Sequence, residues 1–318
     1  MFAILSALLS CAVLLSGTTE IKAEKTLVER LGYRATDRLL IIHADDVGMC
    51  HSVNMATIQA MERGVVSSAS IMVPCPWMPE IAEYCVKHPK ADFGLHLTLT
   101  SEWEKYRWRP VTSISEVPGL LDSEGFIHST VEETVAKAST KEVEMEIRAQ
   151  IKRAKQFGIV PTHVDSHMGT LFTGKFIGSY AKVAKEFGIL PMMLEPTPAR
   201  IEMGKQLGYD SAKISEGLRA QGYVLLDMLH EDIEGKTLEE RRDDIYRIIR
   251  NLKPGVTEII VHLALNDDEI QHISHSWQRR YFEYQIMTDP KTREFIEAQG
   301  VKLIGYRELS KLAYQPQK

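Results

Sequence analysis

Eight short apolar runs recur along the chain, and they constrain its fold more than any other feature. The runs are rich in leucine and β-branched residues and seldom alternate with polar residues. Such runs are typical of strands that are buried on both faces. The predicted strands span residues 39–44, 69–73, 93–98, 162–165, 190–194, 223–228, 258–263 and 302–304.

Helical patterns lie between these runs, and two of them begin with a capping box. Ser139 with Glu142, and Thr237 with Glu240, have the spacing in which the two side chains cap the first helical turn reciprocally. Repeated strand–helix alternation predicts an α/β fold with parallel strands. At this length we expect a single TIM-barrel-like (β/α) barrel, regular or distorted. Residues 103–128 form a long irregular stretch, which in such a barrel usually overhangs the active face.

The first residues predict export. Residues 1–16 carry no charged side chain and are mostly apolar, so residues 1–23 are expected to be a signal peptide cleaved after Ala23. A lipid anchor and an uncleaved anchor are the alternatives. Residues 24–318 would then form one domain of an exported protein, periplasmic or secreted. The sequence leaves the oligomeric state open, with a dimer among the alternatives.

Charge and cysteine content narrow the classes of partner and of site. A net charge of -5 and a pI near 6.1 give no reason to expect binding to nucleic acid or to an anionic membrane surface. Cys50, Cys75 and Cys85 would remain after cleavage, so at most one disulfide forms. Cys75 with Cys85 is one option, and unpaired cysteines are favoured. A thiolate zinc site is not expected because the chain has no C-x-x-C pair.

Polar, metal-ligating side chains stand at the ends of several predicted strands. In a parallel barrel these ends meet at one rim, although the residues are far apart in sequence. The residues are Asp45, Asp46, His96, His163, Asp165, His167 and His262. An Asp/His/His set at such a rim predicts a catalytic divalent-metal site. Asp45 and Asp46 are neighbours, so one would ligate the ion while the other takes a proton from water.

Each of these residues alone has an ordinary structural interpretation, as a turn, a cap or a packed histidine. The segment from His163 through Asp165 to His167 is more specific, because period-two spacing places all three side chains on one strand face. Exposed indoles near the rim would stack on sugar rings, and Trp103 and Trp108 are the candidates in the long loop.

At these residues the chain resembles the YdjC/ChbG-type carbohydrate deacetylases. The shared motifs are Ala-Asp-Asp-Val-Gly at residues 44–48, Gly-Leu-His at 94–96 and Thr-His-Val-Asp-Ser-His at 162–167. The resemblance extends over roughly residues 37 to 310. It implies a (β/α) barrel and metal-dependent hydrolysis of N-acetyl groups on amino-sugar oligo- or polysaccharides, typically chitooligosaccharides.

The resemblance also implies roles for individual residues. Asp45 would be the general base, and His262 resembles the late strand-end histidine that acts as acid in related deacetylases. The ion would be held by Asp46, His96 and His167, with Asp165 and His163 behind them to orient the histidines. One divalent ion is expected, with zinc or magnesium first and manganese, cobalt or nickel as alternatives.

Other functions remain alternatives on the same residues. The ligand set would also serve a metal-dependent hydrolase or isomerase acting on a free sugar or a phosphoester. A glycoside hydrolase is less suited, because two adjacent carboxylates cannot easily act on opposite faces of a glycosidic bond. An exported carbohydrate-binding protein with a vestigial site is a non-enzymatic alternative. Binding alone, however, does not need a second aspartate beside the one that ligates the ion.

Overall fold

A parallel β-sheet forms the centre of the molecule in the computed structural model, which describes residues 25–206 and 210–314. Nine of the ten residues of its first strand are buried, as expected for a strand covered on both faces. The strands in the described residues are β1 (Arg38–Val47), β2 (Ser68–Ile71), β3 (Phe93–Leu97), β4 (His163–Ser166), β5 (Leu190–Pro191), β6 (Met228–His230), β7 (Gly255–Val261) and β8 (Val301–Leu303).

The sheet curls into the predicted (β/α) barrel, in a distorted form. Seven strands follow the order β5-β4-β3-β2-β1-β7-β6, and β8 pairs with the first three residues of β1. All of these strand pairs are parallel. The segments beside the two edge strands meet in a single parallel bridge between Leu194 and Leu226. The barrel is thus closed by one bridge rather than by a full ladder of hydrogen bonds.

The two edge strands differ from their predicted bounds. β5 was expected over residues 190–194 but is only two residues long. The Met192 N–H donates to the Val164 carbonyl at 2.8 Å, so the Pro191 nitrogen faces away from β4 and does not interrupt this pairing. β6 was expected over residues 223–228 but begins at Met228. Leu226, two residues before it, bonds instead to the backbone of Met193 and Glu195.

Helices connect the strands and cover the sheet. Both predicted capping boxes are present, at Ser139 with Glu142 and at Thr237 with Glu240. The described helices are α1 (Leu27–Arg30), α2 (His51–Glu62), α3 (Met78–Lys87), α4 (Val131–Lys137), α5 (Thr140–Gln156), α6 (Ile177–Glu186), α7 (Pro198–Gln206), α8 (Ser211–Ala220), α9 (Leu238–Arg250), α10 (Asp268–Ile273), α11 (Trp277–Thr288), α12 (Pro290–Ala298) and α13 (Tyr306–Ser310).

The long stretch at residues 103–128 is irregular, as predicted, apart from a 3-10 turn at Pro118–Leu120 and an isolated antiparallel bridge between Leu121 and Ile127. Cys50, Cys75 and Cys85 are all free thiols, so the Cys75–Cys85 disulfide does not form.

Among the described residues, no helix combines the length and hydrophobicity that a membrane span requires. The predicted signal peptide lies outside the described residues.

Candidate active site

Asp45 and Asp46 lie near the carboxyl end of β1, where the backbone departs from regular strand geometry. In a regular strand their side chains would point to opposite faces, and only one would reach the barrel interior. Asp46 instead has a φ of 64°, and the pairing of β1 with β2 changes register between Ala44 and Val47. Gly48 follows with a φ of 90°, which glycine adopts at little cost. This irregular turn brings both carboxyl groups to one cavity wall.

Asp46, His96 and His167 bring three ligand atoms together from three different strand ends. Asp46 Oδ1 lies 3.5 Å from His96 Nε2 and 3.2 Å from His167 Nδ1. All three side chains are buried, and Asp46 Oδ1 is a buried oxygen without a hydrogen-bond partner. An unpaired carboxylate oxygen that faces two imidazole nitrogens is a donor set suited to one divalent cation. The residues present therefore fit the expected ion.

A carboxylate holds each of these two histidines from behind. His96 Nδ1 lies 2.7 Å from Asp165 Oδ1, and His167 Nε2 lies 3.0 Å from Glu102 Oε2. Such partners fix the tautomer and ring orientation of a ligating histidine. Burial opposes protonation of His167, but Glu102 and Asp46 outweigh it and raise the pKa of this imidazole to about 10. A bound cation would replace that proton, because imidazole ligates metals in its neutral form.

Arg280, from helix α11, supplies a fixed positive charge to the second oxygen of Asp46. Its Nη2 donates to Asp46 Oδ2 at 2.6 Å, and its Nε donates to Ser276 Oγ at 3.2 Å. Burial opposes ionisation of Asp46, but Arg280 and His167 outweigh it and hold the pKa of this carboxyl well below its usual range. Asp46 is therefore ionised, with one oxygen bound to Arg280 and the other free to ligate.

Asp45 is fixed at one oxygen and open at the other. The Ser70 hydroxyl donates to Asp45 Oδ1 at 3.3 Å, and His43 Nε2 lies 3.1 Å from the same oxygen. Asp45 Oδ2 lies 3.7 Å from His96 Nε2 and 4.0 Å from His262 Nε2. Burial lowers the pKa of the His262 imidazole, so it is neutral near pH 7. The open oxygen thus lies between a candidate ligand and a neutral imidazole.

These groups line one cavity of about 330 Å³ at the carboxyl ends of the strands. Trp103 is part of its wall. Trp108 is not: it is only 3% exposed and packs against the rings of Trp103 and His167. The prediction of an exposed indole is therefore wrong for Trp108, because the long loop folds this side chain inward beneath Trp103.

Only two of the three residues of the third motif reach the cavity. Asp165 and His167 line the cavity wall. His163 is fully buried below them and stacks on Tyr306, with ring centroids 3.8 Å apart. Its Nε2 is 3.8 Å from Asp165 Oδ2 and has no hydrogen-bond partner. His163 is therefore in the barrel interior, removed from the three ligand atoms.

Sequence reasoning missed three residues of the site, each for a different reason. Glu102 lies in a loop after β3, where a lone acidic residue has no distinguishing spacing. Arg280 comes from a helix far along the chain, and only the fold brings it to Asp46. His43 was not among the predicted site residues, although it lies two residues before Asp45, a spacing that places both on the same strand face.

Comparison with known proteins gives consistent matches over most of the chain. A family model described as YdjC-like protein matches residues 39–298. A carbohydrate deacetylase of Thermoanaerobacter pseudethanolicus is 27% identical over 270 residues, which cover 85% of this chain and 98% of that protein. A chitooligosaccharide deacetylase of Yersinia enterocolitica is 26% identical over 285 residues, which cover 86% of this chain and 99% of that protein.

A solved structure shows the same fold. It is a protein of Enterococcus faecalis V583 whose name proposes cellobiose-phosphate cleavage. The two structures agree with a TM-score of 0.71 at 25% sequence identity, over 86% of this chain and 99% of that one.

Proposed function

The chain belongs to the YdjC-like protein family, and from this membership we propose that it is a carbohydrate deacetylase. It would hydrolyse N-acetyl groups on amino-sugar oligo- or polysaccharides of the chitooligosaccharide kind. The names of the two relatives support this substrate class. The observation that carries the proposal is the open oxygen of Asp45, which faces the same cavity as the Asp46, His96 and His167 ligand atoms.

Asp46, His96 and His167 would hold one divalent ion, with zinc or magnesium as the first candidates. Such an ion polarises a carbonyl oxygen and lowers the pKa of a water molecule, so that a nucleophile is available near neutral pH. Asp165 and Glu102 would keep the two imidazole rings in their ligating tautomers. Arg280 would keep Asp46 ionised and hold it in one orientation.

Asp45 is proposed as the general base. Its Oδ2 takes a proton from the attacking water, while Ser70 and His43 hold Oδ1 in place. The water oxygen bonds to the acetyl carbon, and the bond from that carbon to the sugar nitrogen then breaks. His262 delivers a proton to the departing amine. Because His262 is neutral at rest, it can receive that proton from Asp45, whose Oδ2 is 4.0 Å away.

The cavity wall offers a surface for the sugar ring. Trp103 presents an indole at the cavity, and a pyranose ring packs its C–H face against such a surface. Arg280 lies under the same indole, with its guanidinium carbon 5.9 Å from the ring centroid. Trp103 is therefore proposed to orient the substrate so that its acetyl group faces Asp45.

Acetate release from N-acetylated amino-sugar oligomers tests the function. The protein would be stripped with a chelator and reloaded with zinc or magnesium, and Asp45→Asn and His167→Ala would be assayed beside it. We expect metal-dependent release from the wild type. Asp45→Asn should lower kcat by at least about 100-fold while it still binds one ion per chain, because it loses only the base. His167→Ala should lose both the ion and the activity.

Asp243→Asn, an exposed change on α9, serves as the control and should behave as the wild type. Wild-type turnover by Asp45→Asn would remove Asp45 from the role of base. A fully loaded protein that releases no acetate from any oligomer would contradict the deacetylase proposal and favour another hydrolysed bond.

Export is a separate proposal, supported by the apolar segment at residues 1–16. The intact mass of the protein, recovered after expression in a secreting host, checks it. A chain that begins at Glu24, outside the cytoplasm, is the expected result. A lipid-modified Cys11 or a full-length cytoplasmic chain would contradict cleavage after Ala23.

A further inference from the structure

We propose that His43 is a positioning residue that joins the general base to the carboxylate behind the His96 ligand. The proposal rests on the proposed function and adds a residue to its machinery. His43 lies on β1, two residues before Asp45, and its side chain is fully buried in the barrel interior. It does not line the cavity, so it would act through its neighbours.

The Nε2 atom of His43 is the centre of a compact group of acceptors. It lies 3.0 Å from Asp165 Oδ2, 3.1 Å from Asp45 Oδ1 and 3.1 Å from Ser70 Oγ. Asp165 is on β4, whereas Asp45 is on β1. One imidazole nitrogen therefore bridges two strands that are not neighbours in the sheet.

Charge requires that this nitrogen carry a proton. Two carboxylates buried side by side without a donor between them would repel each other and lose their hydration. Burial opposes protonation of His43, but Asp165 and Asp45 outweigh it and hold the pKa of this imidazole well above its usual range. On the far side of the ring, Nδ1 lies 3.9 Å from Glu258 Oε1, so a third carboxylate favours the same charge.

The surroundings keep the ring in this orientation. His163 and Tyr306 pack edge-on against it, with ring centroids 5.0 Å and 5.7 Å away. Tyr306 also donates to Glu258 Oε2 at 2.6 Å, which fixes the carboxylate behind Nδ1. Packed in this way, the ring directs its Nε2 atom at Asp45 and Asp165 together.

Asp165 connects His43 to His96, which is one of the proposed metal ligands. One oxygen of Asp165 faces His43, and the other lies 2.7 Å from His96 Nδ1. Loss of the His43 donor would free Asp165 to turn, and the His96 ring would lose its fixed orientation. The same loss would release Asp45 Oδ1. His43 thus links the orientation of the Asp45 carboxylate to the geometry of the proposed metal ligands.

Three substitutions separate positioning from simple packing. His43→Leu and His43→Asn both remove the donor at the Nε2 position, and Asn is the variant more easily accommodated if Leu does not fold. His43→Gln returns an N–H donor to roughly the same position. His128→Asn is the matched control, because His128 is equally buried, but its ring bonds to the Gly119 carbonyl and is not part of the cavity wall.

Each folded variant would be reconstituted with Co²⁺, and its visible absorption, Co²⁺ affinity, kcat and KM would be measured. For Leu and Asn we expect an altered Co²⁺ spectrum, affinity weaker by about 10-fold and kcat lower by about 10- to 100-fold. KM should change little, because His43 does not touch substrate. His43→Gln should restore most of the lost Co²⁺ affinity and kcat, and His128→Asn should match the wild type in both.

A folded Leu or Asn variant with the wild-type spectrum, affinity and kcat would overturn the role of His43. A Gln variant as impaired as Asn would overturn the donor role as well. If those results come from a wild type that binds Co²⁺ and releases acetate, only this proposal fails. A wild type that binds no Co²⁺ would contradict the proposed function, and the role of His43 with it.

Discussion

At the scale of single residues, Glu102 is the group whose contribution to the site is most easily isolated. It contacts His167 Nε2 from the outside of the ligand set, at 3.0 Å, and it is partly exposed. Glu102→Gln keeps an acceptor but removes the charge that makes the imidazole a better ligand. We expect the dissociation constant for zinc to rise by about 10-fold, measured by competition with a chromophoric chelator.

Glu104→Gln is the matched control for this change. Glu104 lies two residues further along the same loop, and its side chain is exposed. It should leave zinc affinity unaltered. Equal dissociation constants for the two variants would show that Glu102 does not support His167.

The residue scale also shows where sequence reasoning succeeds and where it stops. Asp45, Asp46, His96 and His167 could be placed at one rim because parallel strands end on the same side of a barrel. The left-handed backbone at Asp46, which lets neighbouring carboxylates share a cavity, has no signature in residue type alone. Contacts such as the one from Arg280 to Asp46 depend on how a distant helix packs, which local patterns do not encode.

At the scale of the elements, a glycine on β3 makes room for the buried histidine of β4. A Cβ added to Gly94 would overlap the ring of His163, which is held from its other side by Tyr306. The Gly-Leu-His and Thr-His motifs are thus coupled by packing between adjacent strands. We expect Gly94→Ala to lower the free energy of unfolding by about 1–3 kcal/mol, measured by urea denaturation.

Two further variants test this explanation. Gly178→Ala, on α6, meets no atom within 4 Å and should be neutral or stabilising by up to about 1 kcal/mol. In a His163→Ala background the added methyl group has space, so the cost of Gly94→Ala should largely disappear. An unchanged cost in that background would show that the strain arises elsewhere.

The elements themselves were predicted with uneven accuracy. Strands of the barrel centre were found because their apolar runs are long and buried on both faces. The edge strands were misplaced because backbone pairing, rather than hydrophobicity, sets their ends. β5 pairs with β4 over only two residues, and Leu226, before β6, bonds across to the segment after β5. Such cross-barrel bonds exist only once the sheet has curled.

At the scale of the whole molecule, the first and last strands of the barrel lie side by side. β8 pairs with the start of β1, so the two ends of the described chain meet at the amino-terminal face of the sheet. Asp37, just before β1, makes an ionic link across this junction. Lys302 Nζ donates to Asp37 Oδ2 at 2.6 Å, and Arg34 Nη2 donates to Oδ1 at 2.9 Å.

This junction gives the fold a dependence on pH that is separate from the active site. Hydrogen bonds from Lys302 and Arg34 hold the pKa of Asp37 well below its ordinary value of 3.8. A carboxyl group whose pKa is lower in the folded than in the unfolded protein stabilises the fold. This stabilisation is complete when the pH is above the pKa of the unfolded protein, and it is lost as the pH falls toward the pKa of the folded protein. Asp37→Asn should therefore lower Tm at about pH 7. The difference in Tm between the variant and the wild type should be smaller at about pH 3.

Thermal unfolding of the wild type and of Asp37→Asn at both pH values, in low salt, measures this difference in Tm. Added salt should also narrow it, because Arg34 and Lys302 are largely or partly exposed and their charges are screened. Asp243→Asn removes only an ion pair with its sequence neighbour Arg242, on the surface of α9, and should change Tm little at either pH. A Tm difference of equal size at both pH values would mean that Asp37 stabilises the junction by packing or neutral hydrogen bonds, and that its charge contributes nothing to the stability of the junction.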